Sequence, residues 1–209
     1  MIKINEYSQL IDFISNTDIL ILDIDDTVFS TFGYGSIKWF TENVKFDVET
    51  KNISRIEAVQ YYMPLWEEAQ HSIEVMLTDP LLPQLIDDLK EKGTKILGLT
   101  ARRHNHAEVT LKQLDQVQIK FDNFLNFTYD SSKLLYPVEH VEGIVFCSEY
   151  NTKGEVLKEV LKQNLQYAFK KLLFVDDLEY NIDSVKKHLN NFDIEFHGFH
   201  FTKLNNYSK

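Results

Sequence analysis

Short apolar runs that alternate with amphipathic stretches constrain the fold of this chain more than any other feature. Four runs have the length of buried strands, at 19–22, 95–99, 143–147 and 172–175, and 194–201 alternates as a possible edge strand. Helical periodicity fits 4–15, 82–92, 104–115, 153–163 and 179–190 around them. Strands separated by helices predict parallel pairing with right-handed crossovers. The expected fold class is therefore α/β, a Rossmann-like parallel sheet sandwiched by helices.

The stretch between the first two runs is too long for a single crossover. It spans 23–94, and within it 36–44 and 55–77 show helical periodicity, with Pro64 expected to bend or split the second helix. We therefore predict that 31–79 forms a small helical cap, inserted after the first strand and placed over its carboxyl end. Residues 1–30 and 80–209 would form the core. A longer layer of core helices on one face is the alternative interpretation.

The most informative segment follows the first run directly and reads Asp23-Ile24-Asp25-Asp26-Thr27. Open α/β sheets place their sites at the carboxyl ends of strands. Three carboxylates within four positions repel one another unless a cation or a raised pKa relieves the repulsion. Mg²⁺ would relieve it, because this ion takes carboxylate, carbonyl and water oxygens together with substrate phosphate. A helix N-cap or a solvated turn would also accommodate these residue types.

Two other apolar runs end in polar residues as well. The second is followed by Thr100-Ala101-Arg102, and the fourth by Asp176-Asp177, with Asn181 shortly after. In a parallel sheet these ends lie at the same edge as Asp23. Taken singly, Thr100 would be a loop residue and the acidic pair a helix cap. Together they indicate one site at this edge.

Lys153 stands in the first turn of a predicted helix, where the helix dipole disfavours a cation. Thr152 and Glu155 have capping-box spacing and fix where this helix begins. Helix N-termini favour anions, so a lysine at this position predicts a contact with phosphate. A solvated surface lysine is the alternative.

Taken in chain order, these parts closely resemble the four motifs of the haloacid dehalogenase (HAD) superfamily. Asp23–Thr27 matches the first motif, Thr100 the second, Lys153 the third and Asp176-Asp177 the fourth. The resemblance covers about 15–30 and 80–190. Response-regulator receivers use similar residue types, but in an order that does not fit this chain.

The resemblance implies a phosphomonoester hydrolase that works through an aspartyl-phosphate intermediate. Asp23 would be the nucleophile, and Asp25 would protonate the leaving oxygen and later activate water. Thr100, Lys153 and backbone amides near Ala101 would bind the substrate by neutralising its phosphoryl oxygens.

The resemblance also implies Mg²⁺ as the cofactor. The side chains of Asp23 and Asp176 and the backbone carbonyl of Asp25 would hold the ion. Asp177 would act on it directly or through water.

The predicted cap would determine which phosphorylated substrate is accepted. It is rich in aromatic residues, namely Phe29, Phe32, Tyr34, Trp39, Phe40, Tyr61, Tyr62 and Trp66. These residues either form the cap's own core or in part face the site. In the second case an aryl phosphate, such as phosphotyrosine in a protein, would be the substrate. A small-metabolite phosphatase, a nucleotidase and a non-catalytic HAD-like binding module are the alternatives.

The segment 33–40 is similar to a subgroup of little-characterised bacterial HAD proteins, some from intracellular pathogens. That similarity would be compatible with export as an effector without an N-terminal signal peptide. A cytoplasmic location is the default expectation, because Cys147 is the single cysteine and suits a reducing compartment.

The remaining reactive side chains are expected to have plainer roles. Arg102 and Arg103 would either contact a phosphate or carboxylate of the substrate or lie at a solvent-facing helix start. His104 and His106 are predicted on the polar surface. Cys147 lies within a predicted strand and is expected to be a core thiol.

Charge and hydropathy exclude several classes of partner. Lys and Arg number 22 against 32 Asp and Glu, which gives a net charge of −10 without a basic run. Such a chain repels nucleic acid, so no nucleic-acid partner is expected. No segment has the roughly 20 apolar residues of a transmembrane helix. The Asn-rich end from Leu204 onward is expected to fray.

Overall fold

This computed structural model describes residues 1–204 of the chain. These residues contain nine strands and six α-helices. The strands are β1 (Ile2–Ile4), β2 (Ile19–Leu22), β3 (Phe29–Thr31), β4 (Val75–Leu77), β5 (Lys95–Thr100), β6 (Glu139–Val141), β7 (Ile144–Phe146), β8 (Lys171–Asp176) and β9 (Glu195–Phe201). The helices are α1 (Ile37–Lys51), α2 (Arg55–Ala69), α3 (Leu82–Glu91), α4 (Ala107–Gln116), α5 (Lys153–Gln163) and α6 (Glu179–Leu189). Short 3₁₀ helices span Tyr7–Leu10, His104–His106 and Leu165–Tyr167.

Seven strands form one sheet in the order β1-β9-β8-β2-β5-β7-β6, while β3 and β4 form a separate antiparallel ribbon. Every neighbouring pair in the large sheet is parallel except β6 and β7. The predicted α/β class with a mostly parallel central sheet is confirmed. After β2 the chain adds β5, β7 and β6 on one side of this strand and then β8 and β9 on the other. The strand order therefore reverses at β2. Ligands of open α/β sheets bind outside the carboxyl ends of strands at such a reversal.

Helices cover both faces of the sheet, which explains why its central strands are apolar throughout. Leu20 and Leu22 of β2 pack on the face covered by α3 and α4, whereas Ile19 and Ile21 pack on the face covered by α5 and α6. All four side chains are fully buried. Each contributes about 1.5–3 kcal/mol through removal of its apolar surface from water. The sheet and the helices on its two faces form a rigid core that holds the strand ends in place.

The four predicted central strands form as β2, β5, β7 and β8. The strand predicted at 194–201 forms as β9, but it is not an edge, because β1 pairs along its outer side with Ile2 opposite Phe199. The helix predicted over 4–15 is wrong. The backbone of Ile2–Ile4 finds its partners almost 200 positions further along the chain, and local periodicity does not register such distant pairing.

The segment between β2 and β5 contains α1, α2 and the β3–β4 ribbon. The two helices pack around a third apolar cluster that includes Val44, Ala58 and Tyr62. Pro64 lies inside α2 without ending it. The helix predicted to run to 77 ends at Ala69 instead, since 75–77 pairs with β3. Strand β3, at Phe29–Thr31, therefore crosses the boundary predicted at 31, whereas β4, at Val75–Leu77, lies inside the predicted insertion.

Within residues 1–204 no helix combines the length and the apolar character that crossing a membrane requires. Most of the C-terminal end that was expected to fray, residues 205–209, lies outside the described residues.

Candidate active site

Two acidic residues meet where β2 and β8 end side by side. The register pairs Leu22 with Val175, and the Asp23 amide donates a hydrogen bond of 3.0 Å to the Val175 carbonyl. The next residue of β8 is Asp176, so its carboxylate lies beside that of Asp23. Both side chains are buried, and Asp176 has no solvent exposure. Two buried carboxylates at adjacent strand ends require a positive partner.

Lys153 is that partner. Its ammonium donates to Asp23 Oδ1 and, at 2.7 Å, to Asp176 Oδ2. The predicted capping box is present, because Thr152 and Glu155 exchange hydrogen bonds and start α5 at Lys153. With 3% of its surface exposed, Lys153 is not a solvated surface lysine. Its contact with phosphate remains a prediction.

Further hydrogen bonds hold the two carboxylates in place. Asn181 Nδ2 donates to both oxygens of Asp176, at 2.9 and 3.1 Å, and the Leu178 amide adds a third bond of 2.9 Å. The Thr27 hydroxyl donates to Asp23 Oδ2 at 3.2 Å. These hydrogen bonds fix the orientation of each carboxylate.

Sequence reasoning missed two residues that anchor the acidic loop, residues 23–27. The Thr27 carbonyl accepts hydrogen bonds from the Tyr7 hydroxyl, at 3.0 Å, and from the Thr78 hydroxyl. Tyr7 lies in the N-terminal 3₁₀ helix and Thr78 directly after β4. Neither belongs to a recognisable motif, so only the packed fold brings them to the loop.

The carboxylates of Asp23, Asp176 and Asp177 offer oxygen atoms that all lie within 4.8 Å of one another. The pKa of Asp23 is raised to about 7, chiefly by burial; Lys153 opposes the rise and the charge of Asp176 adds to it. Burial and the charges of Asp23 and Asp176 also raise the pKa of Asp177. One ammonium also does not balance the charge of three carboxylates. A divalent ion that prefers hard oxygen ligands would balance them, so the residues present fit the predicted Mg²⁺.

The side chain of Asp25 does not belong to this acidic group, because it pairs with Arg102. Asp25 Oδ2 accepts from Arg102 Nε at 2.8 Å, and Oδ1 accepts from Nη2 at 2.7 Å. The backbone carbonyl of Asp25 remains the predicted metal ligand. Arg102 is buried rather than at a solvent-facing helix start, since its guanidinium packs against the rings of Phe29 and Trp66.

The second motif lies on the neighbouring strand β5. Thr100 is buried, and its hydroxyl accepts a hydrogen bond of 3.1 Å from the Arg102 amide. Ala101 is exposed and faces the same cleft as Asp25. The structure thus brings Thr100 and Ala101 to the sheet edge where Asp23, Lys153 and Asp176 meet.

A cleft of about 130 Å³ opens beside Asp25, between the sheet edge and helices α1 and α2. Its apolar walls are formed by Ile37, Phe40, Met63 and Trp66. Charged side chains line it too. Among them, Arg103 binds both carboxylate oxygens of Glu149 and lies 3.4 Å from Glu67. The cleft therefore has apolar walls and a network of charged side chains along one side.

His106 also lines the cleft and is buried, so the prediction of a surface histidine is wrong for this residue. It stacks edge-on against Trp66. Burial and the charges of Arg102 and Arg103 lower the pKa of His106 to about 4. The ring is therefore neutral at physiological pH.

Only some of the aromatic residues of the predicted cap take one of the two roles that the sequence left open. Trp39, Phe40 and Tyr62 pack in the cluster between α1 and α2. Phe40 and Trp66 face the cleft beside Asp25. The others are Phe29, which lies in the main core, and Phe32, Tyr34 and Tyr61, which are exposed. As predicted, Cys147 is a core thiol; burial raises its pKa to about 12.

Comparison with known proteins gives a family and a structural likeness. The family described as "Protein of unknown function (DUF2608)" matches residues 2–209. No curated protein matches the chain. Among solved structures, the HAD domain of effector protein Lem4 from Legionella pneumophila is similar with a TM-score of 0.43 and 12% sequence identity. That likeness covers 88% of this chain and 86% of the other.

Proposed function

The chain belongs to the DUF2608 family, and we propose that it is a Mg²⁺-dependent phosphomonoester hydrolase of the HAD superfamily. One observation carries the proposal. A buried carboxylate, Asp23, is oriented by Lys153 and Thr27 at the strand reversal, with the carboxylates of Asp176 and Asp177 beside it. A fixed carboxylate next to a lysine and a cation site is suited to attack a phosphoryl group.

In the first half of the reaction, Asp23 attacks phosphorus in line and forms an aspartyl-phosphate. Asp25 faces the cleft on the side where the leaving group would lie and gives that group a proton. In the second half, Asp25 takes a proton from the water that hydrolyses the aspartyl-phosphate. Lys153, the Thr100 hydroxyl and the Ala101 amide neutralise the phosphoryl oxygens, which is the main catalytic task in phosphoryl transfer.

Mg²⁺ would be held by Asp23, Asp176 and the Asp25 backbone carbonyl, with Asp177 acting directly or through water. When bound, it would neutralise negative charge on the phosphoryl group. The excess of buried negative charge over Lys153 supports this assignment.

The cleft beside Asp25 supports an aryl phosphate, such as phosphotyrosine in a protein, as the substrate. Ile37, Phe40, Met63 and Trp66 offer apolar walls to a flat leaving group. We expect p-nitrophenyl phosphate and phosphotyrosine peptides to exceed sugar phosphates in kcat/KM. The reverse ranking would favour a small-metabolite phosphatase or nucleotidase and would end the aryl proposal.

We also propose that residues 31–79 act as a cap that selects the substrate. Phe40→Ala should raise KM for p-nitrophenyl phosphate and leave KM for the smaller acetyl phosphate nearly unchanged. Phe46→Ala is the matched control, because Phe46 also lies on α1 but is exposed. Equal KM changes for both substrates in Phe40→Ala would contradict the cap's role.

Three experiments separate an enzyme from a non-catalytic binding module. Asp23→Asn should abolish turnover without loss of the fold, and a chelator should silence the wild type. Beryllofluoride, which mimics a phosphoryl group, should bind only with Mg²⁺ and only when Asp23 is present. A protein that folds and binds a phosphorylated partner but shows no turnover with Mg²⁺ would be a binding module.

A further inference from the structure

The buried side chain of Arg102 has a hydrogen-bond acceptor for each of its five N–H groups. Nε and Nη2 donate to Asp25, and the second Nη2 hydrogen points to Gln70 Oε1 at 3.2 Å. Nη1 donates to Thr110 Oγ1 at 2.9 Å and to Gln113 Oε1 at 2.6 Å. A planar guanidinium with all its donors engaged cannot rotate without breaking several bonds at once.

This arrangement fixes the orientation of Asp25. The carboxylate is held by two parallel hydrogen bonds, the geometry in which an arginine restrains a carboxylate most strongly. Only 2% of the Arg102 side chain is exposed, against 18% for Asp25. The carboxylate is therefore accessible on the side of the cleft, and each oxygen keeps a second lone pair that can bind a proton.

The same guanidinium connects Asp25 to two other parts of the chain. Gln70, directly after α2, is fastened by its own hydrogen bonds to the carbonyls of Gly35, at 2.8 Å, and Trp66. Gln113 on α4 donates to the Gln70 carbonyl at 3.1 Å. Movement of α2 relative to the sheet would therefore disturb the support of Asp25.

We propose that Arg102 is a positioning residue that aims Asp25 at the leaving oxygen, and this inference rests on the proposed phosphatase activity. As the bond between phosphorus and the leaving oxygen breaks, the Asp23–phosphorus bond forms. The proton of Asp25 passes to the leaving oxygen, which departs as an alcohol or phenol. Arg102 thereby makes the reaction efficient for substrates whose leaving group needs that proton.

Two aryl phosphates of similar shape distinguish this role from a general effect on structure. Phenol has a pKa of about 10, as tyrosine does, so phenyl phosphate needs a proton on its leaving oxygen. The nitro group stabilises p-nitrophenolate, so p-nitrophenyl phosphate needs the proton far less. General acid catalysis contributes about 10²–10⁴-fold. We expect Arg102→Lys to lower kcat on phenyl phosphate at least about tenfold more than on p-nitrophenyl phosphate.

Three further variants sharpen the test. Gln70→Met keeps Arg102 but removes one of its acceptors, so it should give a smaller selective loss in the same direction. If Arg102→Lys does not fold, Gln70→Met alone tests the positioning role. In an Asp25→Asn background, Arg102→Lys should produce no additional selective loss. Lys112→Met, on the exposed side of α4, should leave both rates unchanged.

The outcomes separate this inference from the proposed function. Equal losses on both substrates in Arg102→Lys and Gln70→Met would overturn the positioning role while leaving the phosphatase proposal intact. A wild type without Mg²⁺-dependent turnover on either substrate would overturn both.

Discussion

The ammonium of Lys153 donates a hydrogen bond to the carboxylate of Asp23, although 130 positions of sequence separate the two residues. The same ammonium bonds to Asp176, so one cation joins the ends of β2 and β8 to the start of α5. Both carboxylates and the lysine are buried. The site and the stability of the fold therefore both depend on Lys153.

Lys153→Met should destabilise the protein strongly. Removal of the shared cation leaves Asp23 and Asp176 buried without it, and breaking a buried ion pair in this way costs about 3–5 kcal/mol. Urea denaturation measures the loss. Lys158→Met is the matched control, since Lys158 lies on the same helix in a partly exposed pair with Glu159 worth about 0–1 kcal/mol. Similar losses in both variants would contradict the role of Lys153.

Mg²⁺ should raise the melting temperature of the wild type. An ion that binds only the folded state at 100 times its dissociation constant adds about 2.7 kcal/mol. Asp177→Asn should reduce the difference between the melting temperature measured in chelator and that measured in Mg²⁺. Asp183→Asn, on the exposed side of α6, should leave it unchanged. If Mg²⁺ does not change the melting temperature of the wild type, or changes that of Asp177→Asn equally, the result would argue against the metal site.

Tyr7→Phe and Thr78→Val should act together through the Thr27 carbonyl. Each single variant leaves that carbonyl with one donor and costs about 0.5–1.5 kcal/mol. The double variant leaves a buried carbonyl without either donor, so its loss should exceed the sum of the single losses. In the double variant the acidic loop should also become more mobile, and kcat should therefore fall.

Tyr167→Phe is the control for the tyrosine variant, because the Tyr167 hydroxyl donates to the Phe124 carbonyl far from the loop. It should reduce stability without affecting kcat. Strictly additive losses in the Tyr7 and Thr78 pair, with an unchanged kcat, would show that the two hydroxyls do not support the loop.

His106 should contribute to the pH dependence of stability. Its pKa of about 4 in the folded state lies below the ordinary value of about 6.5. Between these values the unfolded chain binds a proton that the folded chain excludes, so stability falls as pH drops from 6.5 toward 4. His106→Gln should flatten this part of the profile in urea denaturation at several pH values, whereas His104→Gln, at a more exposed neighbouring position, should not. A slope unchanged by His106→Gln would contradict the assignment.

The sequence was sufficient to predict the central strands and the strand ends that carry polar residues. The places of Asp23, Thr100, Lys153 and Asp176 could be predicted because each directly follows, ends or begins an element with a clear local pattern. Parallel strands then bring those ends to one edge. The start of α5 at Lys153 was predictable for the same reason, since the capping box of Thr152 and Glu155 is a local signal.

What the sequence did not predict depends on contacts between distant segments. β1 forms because β9 offers it a backbone edge, and β4 because β3 does. The burial of Arg102 requires acceptors on Asp25, Gln70, Thr110 and Gln113, which only the folded chain assembles. The neutral His106 likewise results from burial and from the charges of Arg102 and Arg103 rather than from any local pattern.

The most direct test of the account is to trap the covalent intermediate. The wild-type protein is mixed with p-nitrophenyl phosphate and Mg²⁺, quenched in acid during turnover, digested and examined by mass spectrometry. The account predicts one added phosphoryl group on the peptide that contains Asp23, at Asp23 itself, and none in Asp23→Asn. Turnover with the phosphoryl group on another residue, or undiminished turnover in Asp23→Asn, would contradict it.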